Sequence, residues 1–134
     1  MAIDTLALGS IMPGLPVELA HFVAPRLADG SNDVSMTELR VLSEPGFVDD
    51  VDGSDATITR VARIVWRDST GEVEHIWVRP GLRREGVATR LYDAALAITD
   101  GRLAISAWRT DDGEALAASI AARDGLTIPR RRRA

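Results

Sequence analysis

The sequence predicts a single α+β domain: a mixed, mostly antiparallel sheet with one parallel βαβ step and helices on both faces. Three observations set that expectation. The chain has 134 residues, enough to enclose one core and no more. It is 46 % hydrophobic and 27 % charged, the balance of an ordinary globular chain. From residue 57 onward the apolar periodicity runs strand, strand, helix, strand, helix, an order that lays helices on a sheet.

The elements follow in chain order. Leu15, Leu19, Phe22 and Val23 are spaced for a helix across residues 12–29, cut into short pieces by Pro13, Pro16 and Pro25. Residues 37–43 suit a strand or a helix, and residues 44–55 (EPGFVDDVDGSD) form an acidic, turn-rich loop. Residues 57–66 (TITRVARIVW) alternate and are β-branched, residues 67–71 (RDSTG) turn, and residues 72–78 (EVEHIWV) alternate again. That pattern predicts a β-hairpin. Val87, Leu91, Ala94, Ala95 and Ile98 share one face of a helix over residues 86–100, with Gly101 as its C-cap. Residues 103–108 (LAISAW) predict a short buried strand, parallel to residues 72–78 and joined to it right-handedly. Asp111 caps a second helix, with Glu114 in the capping-box position and Gly125 as its stop. Residues 126–130 leave room for one more short strand, and residues 130–134 (RRRRA) read as a solvated tail or a docking arm for acidic or phosphate surfaces.

Composition excludes several chemistries. There is no cysteine, so disulfides, thiolate metal sites and a cysteine nucleophile are all excluded. His21 and His75 are the only imidazoles, which excludes a multi-histidine metal centre. No apolar run approaches the ~20 residues of a membrane span, no signal peptide opens the chain, and a cytoplasmic location is expected. Charge is unevenly placed. Residues 1–55 set ten carboxylates against two arginines, and residues 56–134 set fourteen arginines against ten carboxylates. An acidic front and a basic back suit an anionic ligand on the C-terminal half.

The most specific stretch is VRPGLRREGVATRL, residues 78–91. A strand runs out at Val78–Arg79, Pro80 forces a turn, and a helix begins near Gly86. The first-turn amides of that helix lack internal acceptors and carry the positive end of its dipole. Gly86 and Ala88 are small enough for phosphate oxygens to approach those amides, and Arg83 and Arg84 add forked donors. The arrangement suits a diphosphate. A Walker loop is excluded because the chain has no lysine, and a Rossmann fingerprint because its first glycine pair is missing. An ordinary strand-to-helix turn is the alternative.

The pattern V-x-P-x-x-R-x-x-G-x-A, between a strand and an amphipathic helix, resembles the acetyl-CoA-binding motif of the GNAT N-acetyltransferase superfamily. The resemblance covers roughly residues 57–126 and implies a GNAT-like domain over residues 1–134: an acidic N-terminal part (1–55), an acetyl-CoA-binding core (56–126) and a basic tail (127–134). It further implies that the main chain of Ile76 and Val78 pairs with the pantetheine arm, and that Ile76 N–H faces the thioester oxygen. Arg83, Arg84, Glu85, Gly86, Val87, Ala88 and Thr89 would cradle the pyrophosphate. The activity implied is transfer of an acetyl group from acetyl-CoA to a small-molecule or protein amine.

Such a transfer needs a base near the thioester. Simple alternation puts Glu72 and Glu74 on the face of Ile76; Glu74 is the first candidate and Glu72 the second, a solvated or cross-strand-paired glutamate being the alternative for each. His75 falls on the other face and reads as a packed histidine. The chain also departs from the family. Aligned on Gly125, Ala121 stands where the family carries a tyrosine and Leu126 where it carries an aromatic residue. Tyr92, the sole tyrosine, falls in the first helix, where it suits packing or a cofactor-side role. The family's last two strands have at most one short counterpart. That leaves a sheet edge to be covered, so a homo-oligomer or a place in a larger assembly is expected. Two other readings remain: a GNAT-like fold without catalysis, serving as a structural or binding subunit, and a nucleic-acid-associated protein using the arginines of residues 79–90 and 130–133.

Overall fold

The structure, a computed structural model, describes residues 11–12, 14–24, 33–42, 60–82, 86–106, 108–109 and 111–133. Four strands form one antiparallel sheet in chain order: β1 (Val17–Ala24), β2 (Val34–Leu42), β3 (Arg60–Arg67) and β4 (Val73–Val78). Then come α1 (Val87–Ile98), the two-residue β5 (Trp108–Arg109), α2 (Asp111–Asp124) and the two-residue β6 (Arg132–Arg133). The acidic loop at residues 44–55 lies outside the described residues.

The helix expected across residues 12–29 is instead β1. Prolines deny the segment a helical ladder, whereas β2 supplies acceptors and donors along its whole length, from Val17↔Val41 to Ala24↔Val34. The segment left open at residues 37–43 falls largely in β2, paired on both sides. Leu39 and Val41 are fully buried on one face. On the other face Glu38, 3 % exposed, gathers Arg40, Arg60 and Arg63 at 3.3, 3.3 and 3.2 Å.

The hairpin expected from alternation is β3–β4. Its turn closes with Arg67 N–H on the Glu72 carbonyl (2.9 Å) and Gly71 N–H on the Arg67 carbonyl (2.8 Å). Gly71 has φ +73°, and a Cβ there would lie 1.7 Å from the Arg102 carbonyl oxygen. Backbone from another segment occupies the space a side chain would need.

α1 places Val87, Leu91, Tyr92, Ala94 and Ala95 in the core with Leu39, Ile64 and Trp66. It ends at Ile98, three residues before the glycine expected to cap it. Thr99 is the cap, Asp100 takes the left-handed conformation (φ 54°), and Gly101 N–H closes on the Leu96 carbonyl at 2.8 Å. α2 begins at Asp111 as expected, and the Glu114 carboxylate accepts from Arg109 Nε at 2.8 Å. Arg123 grips Asp93 of α1 with two hydrogen bonds, 2.7 and 3.1 Å, joining the helices.

Two expectations at the C-terminal end are corrected. Residues 103–108 are not a continuous strand; among the described residues they touch the sheet at one parallel bridge, Glu72↔Ala104. The last strand lies not in residues 126–130 but at β6, which pairs in parallel with β5. Within the arginine run Arg131 docks on the fold, donating to the Arg109 carbonyl (3.1 Å) and to Asp111 (2.8 Å), while Arg130 and Arg132 are exposed. Among the described residues, no helix is long and apolar enough to cross a membrane.

Candidate functional site

The site begins with a slip in register. β3 and β4 pair as Ala62↔Val78, Ile64↔Ile76 and Val65↔His75, and then as Trp66↔Val73, which leaves Glu74 with no opposite residue. Glu74 is a β-bulge. Arg79 N–H donates to the Val61 carbonyl at 2.8 Å, so the antiparallel alternation turns the N–H and C=O groups of His75 and Trp77 toward β3. Those of Ile76 and Val78 point the other way, off the edge of the sheet.

Before the bulge the outward residues are Gly71 and Val73. Ala104 N–H donates to the Gly71 carbonyl and Val73 N–H to the Ala104 carbonyl, both at 2.9 Å. The next rung of that parallel ladder needs the N–H of His75, which the bulge has turned toward β3. Pairing therefore stops after one bridge, and the two chains part. The parallel step expected from sequence is reduced to that bridge, and a gap replaces the rest of it.

A cavity of about 170 Å³ occupies the gap. Val73 and Ile76 line it from β4, Tyr92 from α1, Ile105 and Ser106 from the parting chain, and Ile120 from α2. Arg109, 5 % exposed, also lines it, and its guanidinium is tied to Glu114 (2.8 Å), the Ser106 carbonyl (2.6 Å) and the Pro129 carbonyl (2.9 Å). It fastens the C-terminal segment to this wall. Sequence reasoning missed Arg109; its one signal was its place just ahead of Asp111 and Glu114.

Glu74 lines the same cavity and is ion-paired with Arg67. Glu72 accepts a long hydrogen bond from Ser106 Oγ, 3.4 Å. Both candidate carboxylates thus stand at the gap, but not by the simple alternation expected. Val73 and Ile76, three residues apart, both pack on the core, because the bulge resets the faces between them. His75 pairs with Val65 on the opposite face from Ile76, as expected, but it is exposed there and not the packed histidine the sequence suggested. It reaches solvent, yet loss of water around the ring, and then the charge of Arg63, pull its pKa below the usual histidine value.

At the far end of β4, the candidate residues Arg83, Arg84 and Glu85 lie outside the described residues. Gly86 caps α1 with φ +77°. The first helical bond runs from Arg90 N–H to the Gly86 carbonyl (3.0 Å), so the N–H groups of Val87, Ala88 and Thr89 precede the ladder and have no helical acceptor. Val87 turns its side chain into the core, while Ala88 and Thr89 are half-buried. Tyr92, 3 % exposed, has its pKa raised by burial first and by Asp124 second.

The sequence matches the model of the acetyltransferase (GNAT) family over residues 30–120, from before β2 to near the end of α2. Among curated proteins, none matches the sequence. Since the family match spans more than half of the chain and takes in β2, β3, β4 and α1 whole, the chain belongs to the GNAT acetyltransferase family.

Proposed function

We propose that this chain transfers the acetyl group of acetyl-CoA to a primary amine, with the gap beside β4 as the seat of the transfer. The observation that carries the reading is the bulge at Glu74, after which the main chain of Ile76 turns away from β3 beside a largely apolar gap. Outward N–H and C=O groups on a strand edge are suited to the amide groups of a pantetheine arm. At the other end of β4, the first-turn amides of α1, with Arg83 and Arg84 beside them in sequence, are suited to the diphosphate. The residues present fit the cofactor at both ends.

Acetyl-CoA supplies an acetyl group activated as a thioester. Ile76 N–H is placed to hold the negative charge that gathers on the carbonyl oxygen as the amine nitrogen adds. Glu74, or Glu72 as second choice, takes the proton the amine must lose, directly or through water. The new C–N bond forms, the C–S bond breaks, and the leaving thiolate takes up a proton. Holding both reactants in line supplies a large share of the acceleration.

Calorimetry with CoA and with acetyl-CoA tests the reading, followed by thiol release and intact-mass acetylation across polyamines, aminoglycosides and peptide amines. Binding with thiol release supports it. Failure to bind at millimolar cofactor overturns it.

A further inference from the structure

A second cavity, of about 620 Å³, lies at the β3–β4 turn and shares no lining residue with the gap. The register sets His21 of β1 opposite Thr37 of β2, and Thr37 opposite Trp66 of β3, so the three stand in one row across the sheet. Asp68 follows β3 directly and continues its pairing with β2, its N–H on the Ser35 carbonyl at 3.0 Å. Its carboxylate accepts from two hydroxyls, Ser35 Oγ and Thr37 Oγ1, each at 2.5 Å. Thr37 Oγ1 also stands 2.8 Å from His21 Nδ1.

One hydrogen decides the rest. A threonine hydroxyl has a single proton, and here it is given to Asp68. Thr37 can then only accept from His21, so Nδ1 carries the imidazole hydrogen and Nε2 is left as the acceptor. Asp68, Thr37 and His21 form a chain that fixes the tautomer of a histidine bordering a cavity. Arg102 borders the same cavity; its Nε–H holds the Thr99 carbonyl at 3.1 Å, and among the described residues no hydrogen bond engages its two terminal NH2 groups. It is the only arginine in a lining that also holds Asp68, so the cavity suits a monoanion better than a doubly charged phosphate. Leu19 and Ile98 add apolar wall. None of these residues has a part in the acetyl transfer.

We propose that this cavity is a second ligand site, for a small carboxylate that also bears a hydroxyl or amine group: the O–H or N–H donates to His21 Nε2, and the carboxylate is held by Arg102. The site stands independently of acetyl-CoA binding.

Nitrogen-15 NMR of the two imidazoles in alkaline buffer tests it, with His21→Asn to assign the signals. The Nδ1–H tautomer is expected for His21, lost in Thr37→Val and restored in Thr37→Ser. Glycolate or glycine should shift His21 Nε2 saturably. Acetate, which has no second donor, and the Arg102→Ala variant should each weaken that response about tenfold or more. An Nε2–H tautomer in the unaltered protein overturns the proposal. So does the absence of any shift with glycolate and glycine, or a shift that acetate or Arg102→Ala leaves at full strength.

Discussion

Glu74 and His75 are neighbours with opposite assignments, and each assignment gives a measurable consequence. Glu74 stands at the bulge with Arg67 as its ion partner and the cavity beside it. Glu74→Gln keeps the shape and removes the base, so turnover should fall by about 10²-fold or more while CoA affinity stays within about threefold. Steady-state rates and calorimetry on the same variant check this; full activity would remove Glu74 from the mechanism and leave Glu72. His75 affects stability instead. Its folded pKa is depressed, by loss of hydration first and Arg63 second, so the unfolded chain binds the proton more readily. Its contribution to stability is therefore complete above the unfolded value near 6.5 and is lost as pH falls below it. Urea midpoints of the parent protein should drop across that window, and His75→Gln should flatten the drop.

The elements that alternation and helical spacing could reveal are those whose partners are close in sequence. The β3–β4 hairpin, α1 and α2 carry their own signals: β-branched alternation, an apolar stripe, and glycine near each stop. β1 was not legible, because Leu15, Leu19, Phe22 and Val23 satisfy a helical spacing while the strand's stability comes from β2, which follows it in the chain. Nor was the ending of the parallel ladder: a one-residue slip between Val65 and Trp66 leaves no mark on hydrophobic pattern, yet beyond the bridge at Ala104 the two chains part. Gly71 is where that separation is anchored. Gly71→Ala sets a methyl 1.7 Å from the Arg102 carbonyl position and strains a positive φ, so the Ala104 bridge must give way. A loss of about 2 kcal/mol or more is expected by denaturant melt, with faster exchange of the Ala104 amide. Gly86 acts at the other end of β4. Gly86→Trp should abolish CoA binding by calorimetry, with the far-ultraviolet dichroism of the folded domain retained.

Over the whole molecule, the family was legible from the motif at residues 78–91, which is contiguous in the chain. The far wall of the gap was not. Arg109 gathers Ser106, Glu114 and Pro129, segments whose convergence only the folded chain reveals. The tail, whose sequence left a solvated run and a docking arm both open, is held by main-chain pairing of β6 with β5 and by Arg131 on Asp111. Ser106, Arg109 and Ile120 line one side of the gap, and β4 with its bulge lines the other. The most direct test is residue-resolved hydrogen exchange at the Ile76 amide with and without saturating CoA. Slower exchange at Ile76 on binding, lost in Gly86→Trp, is the predicted result; CoA bound with the exchange of Ile76 unchanged would contradict the account.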